Sequence, residues 1–241
     1  LEPERKVSKR PREIAQASNL HFSQLSYFSG GGEKLLKELA KIRTVLQFKE
    51  GQQVPLAWHG HEGFYYLHEG YGKVIYKRAS GSDAIRIAGP NDLVGFARWY
   101  GLTGHYGMIS LSNLTTSFFR KDDFLKMKSE SSYLADQVIQ WLMKVLVAQE
   151  DRIYALKKST ARGRVSGTLA SLRRRFGQSI GGNNSVLAAP IDRKTLADLS
   201  GVAIEVLSRV LRDLEDEKII RRDGRVIIII NSEALDKAAG Y

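Results

Sequence analysis

Glu205, Ser208, Arg209 and Arg212 stand at i, i+3, i+4 and i+7, the spacing that gathers side chains onto one face of an α-helix. Leu207, Val210, Leu211 and Leu214 occupy the other side, so the stretch from Ala203 to Glu217 reads as an amphipathic helix. A carboxylate, a hydroxyl and a guanidinium near a helix start are groups suited to reading base edges in a major groove. Arg forks onto guanine O6 and N7, a carboxylate accepts from cytosine N4, and Ser serves either role. The blander reading of the same spacing is a solvated face carrying a Glu205–Arg209 ion pair.

The elements around this helix favour the first reading. Arg193–Leu199 reads as a shorter helix, and Ser200-Gly201 supplies the tight bend between the two. Downstream, Ile219–Arg222 and Arg225–Ile230 are β-branched or basic runs flanking Asp223-Gly224, a favoured two-residue hairpin turn. A helix-turn-helix followed by such a hairpin is a winged helix. Glu205, Ser208 and Arg209 are then the base-reading candidates. Arg193, Lys194, Arg212, Arg221, Arg222 and Arg225 are the phosphate-contact candidates. The chain has 241 residues, a formal charge of +11 and a pI near 9.8, a surplus that suits a polyanionic partner such as double-stranded DNA.

Upstream, Ser132–Lys158 reads as one long helix. Val138, Leu142, Val145, Gln149, Arg152 and Leu156 recur at alternating intervals of 4 and 3, a heptad seam through which two copies could pair. Packing wholly inside one chain is the alternative. From 44 to 120 the pattern changes to short β-rich runs separated by Gly-centred turns: Thr44–Phe48, Phe64–His68, Lys73–Lys77, Ala84–Ala88, Asp92–Phe96, Gly107–Leu111 and Leu114–Phe119. Short strands at near-regular spacing predict an antiparallel sandwich or jelly-roll. Residues 1–19 are polar and basic, and read as a solvated arm.

The organisation expected is therefore a basic arm over 1–19, a β-roll over 20–131, a dimerisation helix over 132–158 and a winged helix over 159–241. The chain holds no Cys, which removes disulfides, thiolate catalysis and Cys-held zinc or iron–sulfur sites. It has no phosphate-binding Gly loop, no His-Glu-x-x-His and no Gly-x-Ser-x-Gly, so an enzyme is not expected. Asp122-Asp123 reads as the start of a short helix rather than an acid–base pair. No membrane partner is expected, because the apolar run Val226–Ile230 falls far short of a span. The N-terminus lacks a signal-peptide core, so the expected location is cytoplasmic. A start at Leu1 suggests that a longer native chain precedes it.

The stretch from Ile191 to Ile220, with Asp-Arg-Lys-Thr-Leu-Ala-Asp-Leu-Ser-Gly followed by Ile204-Glu-Val-Leu-Ser-Arg, resembles the winged-helix domain of the CRP/FNR superfamily of bacterial transcription regulators. The order of parts resembles that family too. The resemblance implies an α+β fold: an N-terminal double-stranded β-helix (jelly-roll, cyclic-nucleotide-binding-like) sensor, a dimer helix and a winged helix-turn-helix. It further implies a homodimer acting with RNA polymerase. Glu205, Ser208 and Arg209 match the Glu-x-x-Ser-Arg pattern of the FNR-type branch, which implies a palindrome near TTGAT-N4-ATCAA. Val206 stands where that branch often has Thr.

The family's cyclic-nucleotide cassette is not preserved. Phe96 stands where its Glu belongs, and Gly104-His105 where its Arg-Ser belongs. Cyclic AMP binding in the usual mode is therefore not expected, since a buried phosphate without its Arg is costly. Phe96, Arg98, Trp99, Tyr100, His105 and Tyr106 remain as a candidate pocket for a small apolar or aromatic effector, or as aromatics that fill that pocket. No cofactor is predicted, although His59, His61, His68 and His105 leave haem ligation open.

Overall fold

The computed structural model describes residues 12–13, 25–79, 81–96, 106–158, 160–181, 184–224 and 226–240. They fall into two compact units. The first holds residues up to 82 and from 86 to 144. The second holds 145–241 together with 83–85. In chain order the first comprises β1 (Arg12–Glu13), a 3-10 turn (Ser26–Gly31), α1 (Gly32–Ile42), β2 (Arg43–Phe48), β3 (Gln53–Val54) and β4 (Ala57–Trp58). Then follow β5 (His61–Glu69), β6 (Gly72–Arg78), β7 (Gly81–Ala88), β8 (Leu93–Val94), β9 (Tyr106–Ser110), β10 (Leu114–Arg120), α2 (Lys121–Glu130) and the start of α3 (Ser132–Lys158).

Two sheets carry this N-terminal sensor unit. One runs β1-β2-β10-β5-β4 with β8 also on β5, and the other runs β3-β9-β6-β7. Central β5 is buried from Gly63 to Leu67 without a break, so both of its faces are covered. On one face Phe64 stacks with Phe119 at 5.0 Å and Phe96 at 4.5 Å between centroids, with Phe124 edge-on at 4.8 Å. On the other, Tyr65 meets Phe118 at 5.1 Å and Phe48 at 6.1 Å. Gly63 permits this closeness, because a Cβ there would lie 2.2 Å from the Phe119 carbonyl oxygen.

The second unit contains the remainder of α3, then α4 (Ala161–Phe176), β11 (Gly177–Gly181), β12 (Asn184–Leu187), α5 (Arg193–Ser200), α6 (Ile204–Asp216), β13 (Ile220–Asp223), β14 (Val226–Ile229) and α7 (Ser232–Ala239). Helices α4, α5 and α7 start on side-chain caps, whereas α6 starts at Ala203 without one. Thr160 Oγ1 accepts from the Gly163 amide at 3.1 Å, Asp192 Oδ1 from Thr195 at 2.7 Å, and Asn231 Oδ1 from Ala234 at 2.9 Å. Leu169, Leu196, Leu207, Leu214, Ile229 and Leu235 are buried among these elements. The strands form a sheet in the order β11-β12-β14-β13.

Two local features differ from the sequence reading. The stretch around Gly181, where the sequence marks no strand, joins the antiparallel pair β11–β12. That pair extends the wing sheet through Ser185↔Ile229 and Val186↔Ile228. The wing turn also sits one residue later than Asp223-Gly224, because Asp223 pairs with Val226 and Ile220 with Ile229. The cause lies at the strand start. The Ile219 amide donates to Leu214 O at 2.9 Å as the end of α6 closes, while its carbonyl accepts from the Ile230 amide at 2.9 Å, which sets Ile219 opposite Ile230. That register buries Ile220 and Ile229 together. No helix among the described residues is long and apolar enough to cross a membrane.

Candidate nucleic-acid interface

The geometry of the site begins at the bend. Helix α5 ends on Gly201 in the left-handed region (φ 61°), where its amide closes back on α5. A Cβ at Gly201 would meet the Leu156 side chain at 2.5 Å, so both the conformation and the space call for glycine. Arginines from two other helices collar the carbonyls left open at this bend. Arg152 of α3 donates from Nε to Leu199 O at 3.0 Å and from Nη2 to Asp198 O at 2.9 Å, and Arg164 of α4 donates from Nε to Ser200 O at 3.3 Å. Burial pushes the Arg152 guanidinium down from its ordinary value, and Asp198 partly opposes this.

Helix α6 then presents the expected face. Leu207, Val210, Leu211 and Leu214 are buried, whereas Glu205, Arg209 and Arg212 are exposed and Ser208 is half-buried. Ser208 Oγ donates to Ile204 O at 2.9 Å, which leaves its oxygen lone pairs outward as acceptors. Among the described residues no ion pair joins Glu205 to Arg209 or occupies Arg212. The three charged groups are thus unengaged on a rigid helix, which is the condition for contacting a ligand without first breaking an internal bond.

The phosphate candidates divide. Arg193 begins α5 and is exposed, as is Arg221 on β13. Lys194 sits against Asp198 at 3.2 Å. Arg222 is tied to Glu215 at the end of α6: its guanidinium donates to one carboxylate oxygen and its backbone amide to the other, the latter at 3.0 Å. Arg222's side-chain donation, first among the causes, holds the Glu215 carboxyl below the usual carboxylate range. Arg225 lies outside the described residues. Arg162 of α4 forks onto Glu217 with both bonds at 2.7 Å, stapling α4 to the α6 terminus.

In the N-terminal unit two of the six candidate pocket residues, Phe96 and Tyr106, are among the described residues. Phe96 is 7% exposed and sits within the aromatic core, with Trp141 at 5.9 Å. Tyr106 is 39% exposed on β9 and packs edge-on against Tyr76 at 5.5 Å. Arg98, Trp99, Tyr100 and His105 lie outside the described residues. His68 Nε2 lies 2.7 Å from Ser117 Oγ, half-buried between β5 and β10. Among the described residues no cluster of three or more His, Asp or Glu is arranged to hold a metal ion.

Along α3 the six expected seam positions also divide. Leu142 and Leu156 are exposed, at 45% and 40%, whereas Val138, Val145, Gln149 and Arg152 are half-buried. Ile139, Leu146 and Ile153 are exposed, at 56%, 49% and 53%. Exposed Ile139, Leu142, Leu146, Ile153 and Leu156, with half-buried Gln149 among them, keep alternating 3 and 4 spacing, one residue beyond the expected seam at three positions.

Sequence reasoning missed the Arg152–Arg164 collar and the Glu215–Arg222 pair. Both join residues through a bend or a helix-to-strand turn, where neither the 3.6 nor the 2.0 period carries a signal.

A β-roll followed by a long helix and a winged helix-turn-helix defines a two-unit DNA-binding regulator class. A family model described as "Crp-like helix-turn-helix domain" matches residues 163–238. The transcriptional activator protein FnrL of Cereibacter sphaeroides is 24% identical over 148 residues, covering 60% of this chain and 59% of that protein. The fumarate and nitrate reduction regulatory protein of Salmonella typhi is 26% identical over 214 residues, covering 85% and 83%. The structure of FixK2 from Bradyrhizobium japonicum superposes with a TM-score of 0.71 at 20% identity, over 82% of this chain and 97% of that one. The CooA mutant from Carboxydothermus hydrogenoformans superposes with a TM-score of 0.68 at 13% identity, over 86% and 90%. The match to FnrL spans about three fifths of that relative's length. Residues 163–238 are thus similar to a Crp-like helix-turn-helix domain, and the relatives the chain resembles are named as transcriptional or regulatory proteins.

Proposed function

We propose that this chain is a homodimeric, sequence-specific DNA-binding transcription regulator. In this reading α6 enters the major groove, and Glu205, Ser208 and Arg209 read bases. Arg193, Lys194, Arg212, Arg221, Arg222 and Arg225 meet the backbone. The observation that carries the reading is the exposed face of α6, on which Glu205, Arg209 and Arg212 are unengaged above a buried apolar face. Two copies pair along α3 through its exposed apolar line. Their two-fold axis sets the recognition helices about 34 Å apart, and so demands a palindromic site. The Glu-x-x-Ser-Arg pattern supports a site near TTGAT-N4-ATCAA, with RNA polymerase as the downstream partner the family resemblance implies. Phe96 in the sensor core supports a regulator that needs no cyclic nucleotide.

The test is fluorescence anisotropy of the ligand-free protein on a TTGAT-N4-ATCAA duplex and on a scrambled duplex, at a fixed salt near 150 mM. The expected result is clear preference for the palindrome. Equal binding to both duplexes would remove the assigned half-site.

A further inference from the structure

Neighbouring arginines on β13 have different fates. Arg221 is exposed with no ion pair among the described residues, whereas Arg222, on the opposite face of the strand, is held by Glu215. The Arg222–Glu215 pair lies on the wall of a groove of about 320 Å³ between the start of α5, the end of α6 and the wing. Arg193, Leu196, Leu211 and Gly224 line the rest of that groove. The carboxylate takes Arg222 through two oxygens, one on the guanidinium and one on the backbone amide. A phosphodiester likewise meets an arginine with two anionic acceptor oxygens, set on a tetrahedral phosphorus. The Arg222 Nε is buried and has no hydrogen-bond partner among the described residues. Arg193 adds a second cation on the same groove and contributes to holding the Glu215 carboxyl low.

We infer that Glu215 is an internal competitor for the DNA backbone: it occupies Arg222 as a phosphate would and so lowers the sequence-independent part of binding at the wing root. This rests on the reading of the winged helix as a DNA-binding surface. With Glu215 charged, the Arg193–Glu215–Arg222 cluster presents one net positive charge to a phosphate instead of two. A phosphate that takes Arg222 must first displace a carboxylate already seated on it, and it meets that carboxylate's repulsion. Both effects weaken binding to any sequence alike, because phosphates carry no base information. The base-reading groups on α6 are untouched. Glu215 is therefore a specificity-determining residue that contacts neither base nor phosphate.

The experiment is Glu215→Gln in the full chain. The amide keeps the shape and can still accept from the Arg222 backbone, but it no longer neutralises the guanidinium. Affinity for the palindromic and the scrambled duplex is measured across salt concentrations. The expected slope of log K against log salt steepens by about 0.9, the value of one added phosphate contact. Carried from 1 M down to about 0.15 M, that slope corresponds to a roughly fivefold gain in affinity for the scrambled duplex. Adding Arg222→Gln to Glu215→Gln is expected to abolish the gain, which ties it to this guanidinium. If Glu215→Gln fails to fold by circular dichroism, Glu215→Asp is the second variant. It withdraws the carboxylate by one methylene and is expected to shift binding in the same direction by a smaller factor. Unchanged slope and affinity in a folded variant, with the unaltered protein still binding DNA, overturn the competitor role alone. Failure of the unaltered protein to bind either duplex overturns the DNA reading and this inference with it.

Discussion

The sensor unit and the winged-helix unit use their side chains in opposite ways. On β5 the sensor turns aromatic rings inward on both faces, Phe64 and Tyr66 to one side and Tyr65 to the other, all fully buried. The hydroxyls of those tyrosines are spent internally, Tyr65 on Pro55 O at 2.6 Å and Tyr66 on Asn91 Oδ1 at 2.5 Å. Burial accordingly pushes the Tyr65 phenol well above its ordinary value. The winged helix instead buries leucines beneath α6 and holds Glu205, Arg209 and Arg212 outward with no internal partner among the described residues. A region whose polar groups are satisfied internally shows what holds it together. A region that keeps rigid charges unsatisfied shows what it is built to meet.

The largest expected effect breaks the first half of this contrast. Phe64 is fully buried and meets Phe96, Phe119 and Phe124. Phe64→Ala removes the shared ring of that cluster and leaves a cavity, at a cost of about 3–5 kcal/mol. Urea denaturation followed by near-UV circular dichroism measures it. A loss under about 1 kcal/mol would mean that the cluster repacks freely and is not the organising core of the sensor.

The second effect is smaller and tests the other half. Arg209→Ala is expected to leave the melting temperature nearly unchanged, since the side chain is exposed and unengaged. Binding to the palindrome should weaken by about 1–3 kcal/mol, with discrimination relaxed at the guanine of each half-site. Competition with single-base variants of the duplex reads this directly. A uniform loss over all sequences would move Arg209 from base reading to phosphate contact.

Legibility in the sequence followed the same division. The α6 face was visible because charged and apolar residues alternate at helical spacing from Glu205 to Leu214, and both sets keep their sides in the structure. The strands around β5 and β10 were visible through β-branched and aromatic runs between glycines. The two-residue strands β3 and β4 were too short to carry any period, and β11 is exposed throughout with Ile180 as its one large apolar residue, so no alternation marked it. The wing register was misplaced by one residue because the turn dipeptide suggested one hairpin while the closing bond of α6 onto Ile219 required another. On α3 the heptad spacing predicts a seam, but spacing alone does not say which of two adjacent lines faces outward. Engagement of Arg152 with the α5 carbonyls turns Val145 and Arg152 partly inward and leaves Leu146 and Ile153 exposed.

The smallest effect joins the two halves of the comparison at a single residue. The Arg222 guanidinium and backbone amide hold the Glu215 carboxyl below its usual range, while partial burial opposes them. A carboxyl whose folded value lies below its unfolded value, about 4.3 for Glu, contributes stability that is present above the unfolded value. That contribution is lost as pH falls through the folded value. Both partners are about a quarter exposed, so the pair contributes under about 1 kcal/mol near neutral pH. Urea denaturation of the unaltered protein and of Glu215→Gln should therefore show the variant slightly less stable at pH 7. The gap should close on acidification below about pH 4. The Arg162–Glu217 pair titrates in the same direction but is common to both proteins, so the difference between them isolates Glu215. A gap that persisted unchanged to pH 3 would show that the carboxylate's charge is not what stabilises the wing root. The same substitution is expected to strengthen binding to any duplex, so Glu215 couples a small gain in fold stability to restraint of phosphate binding.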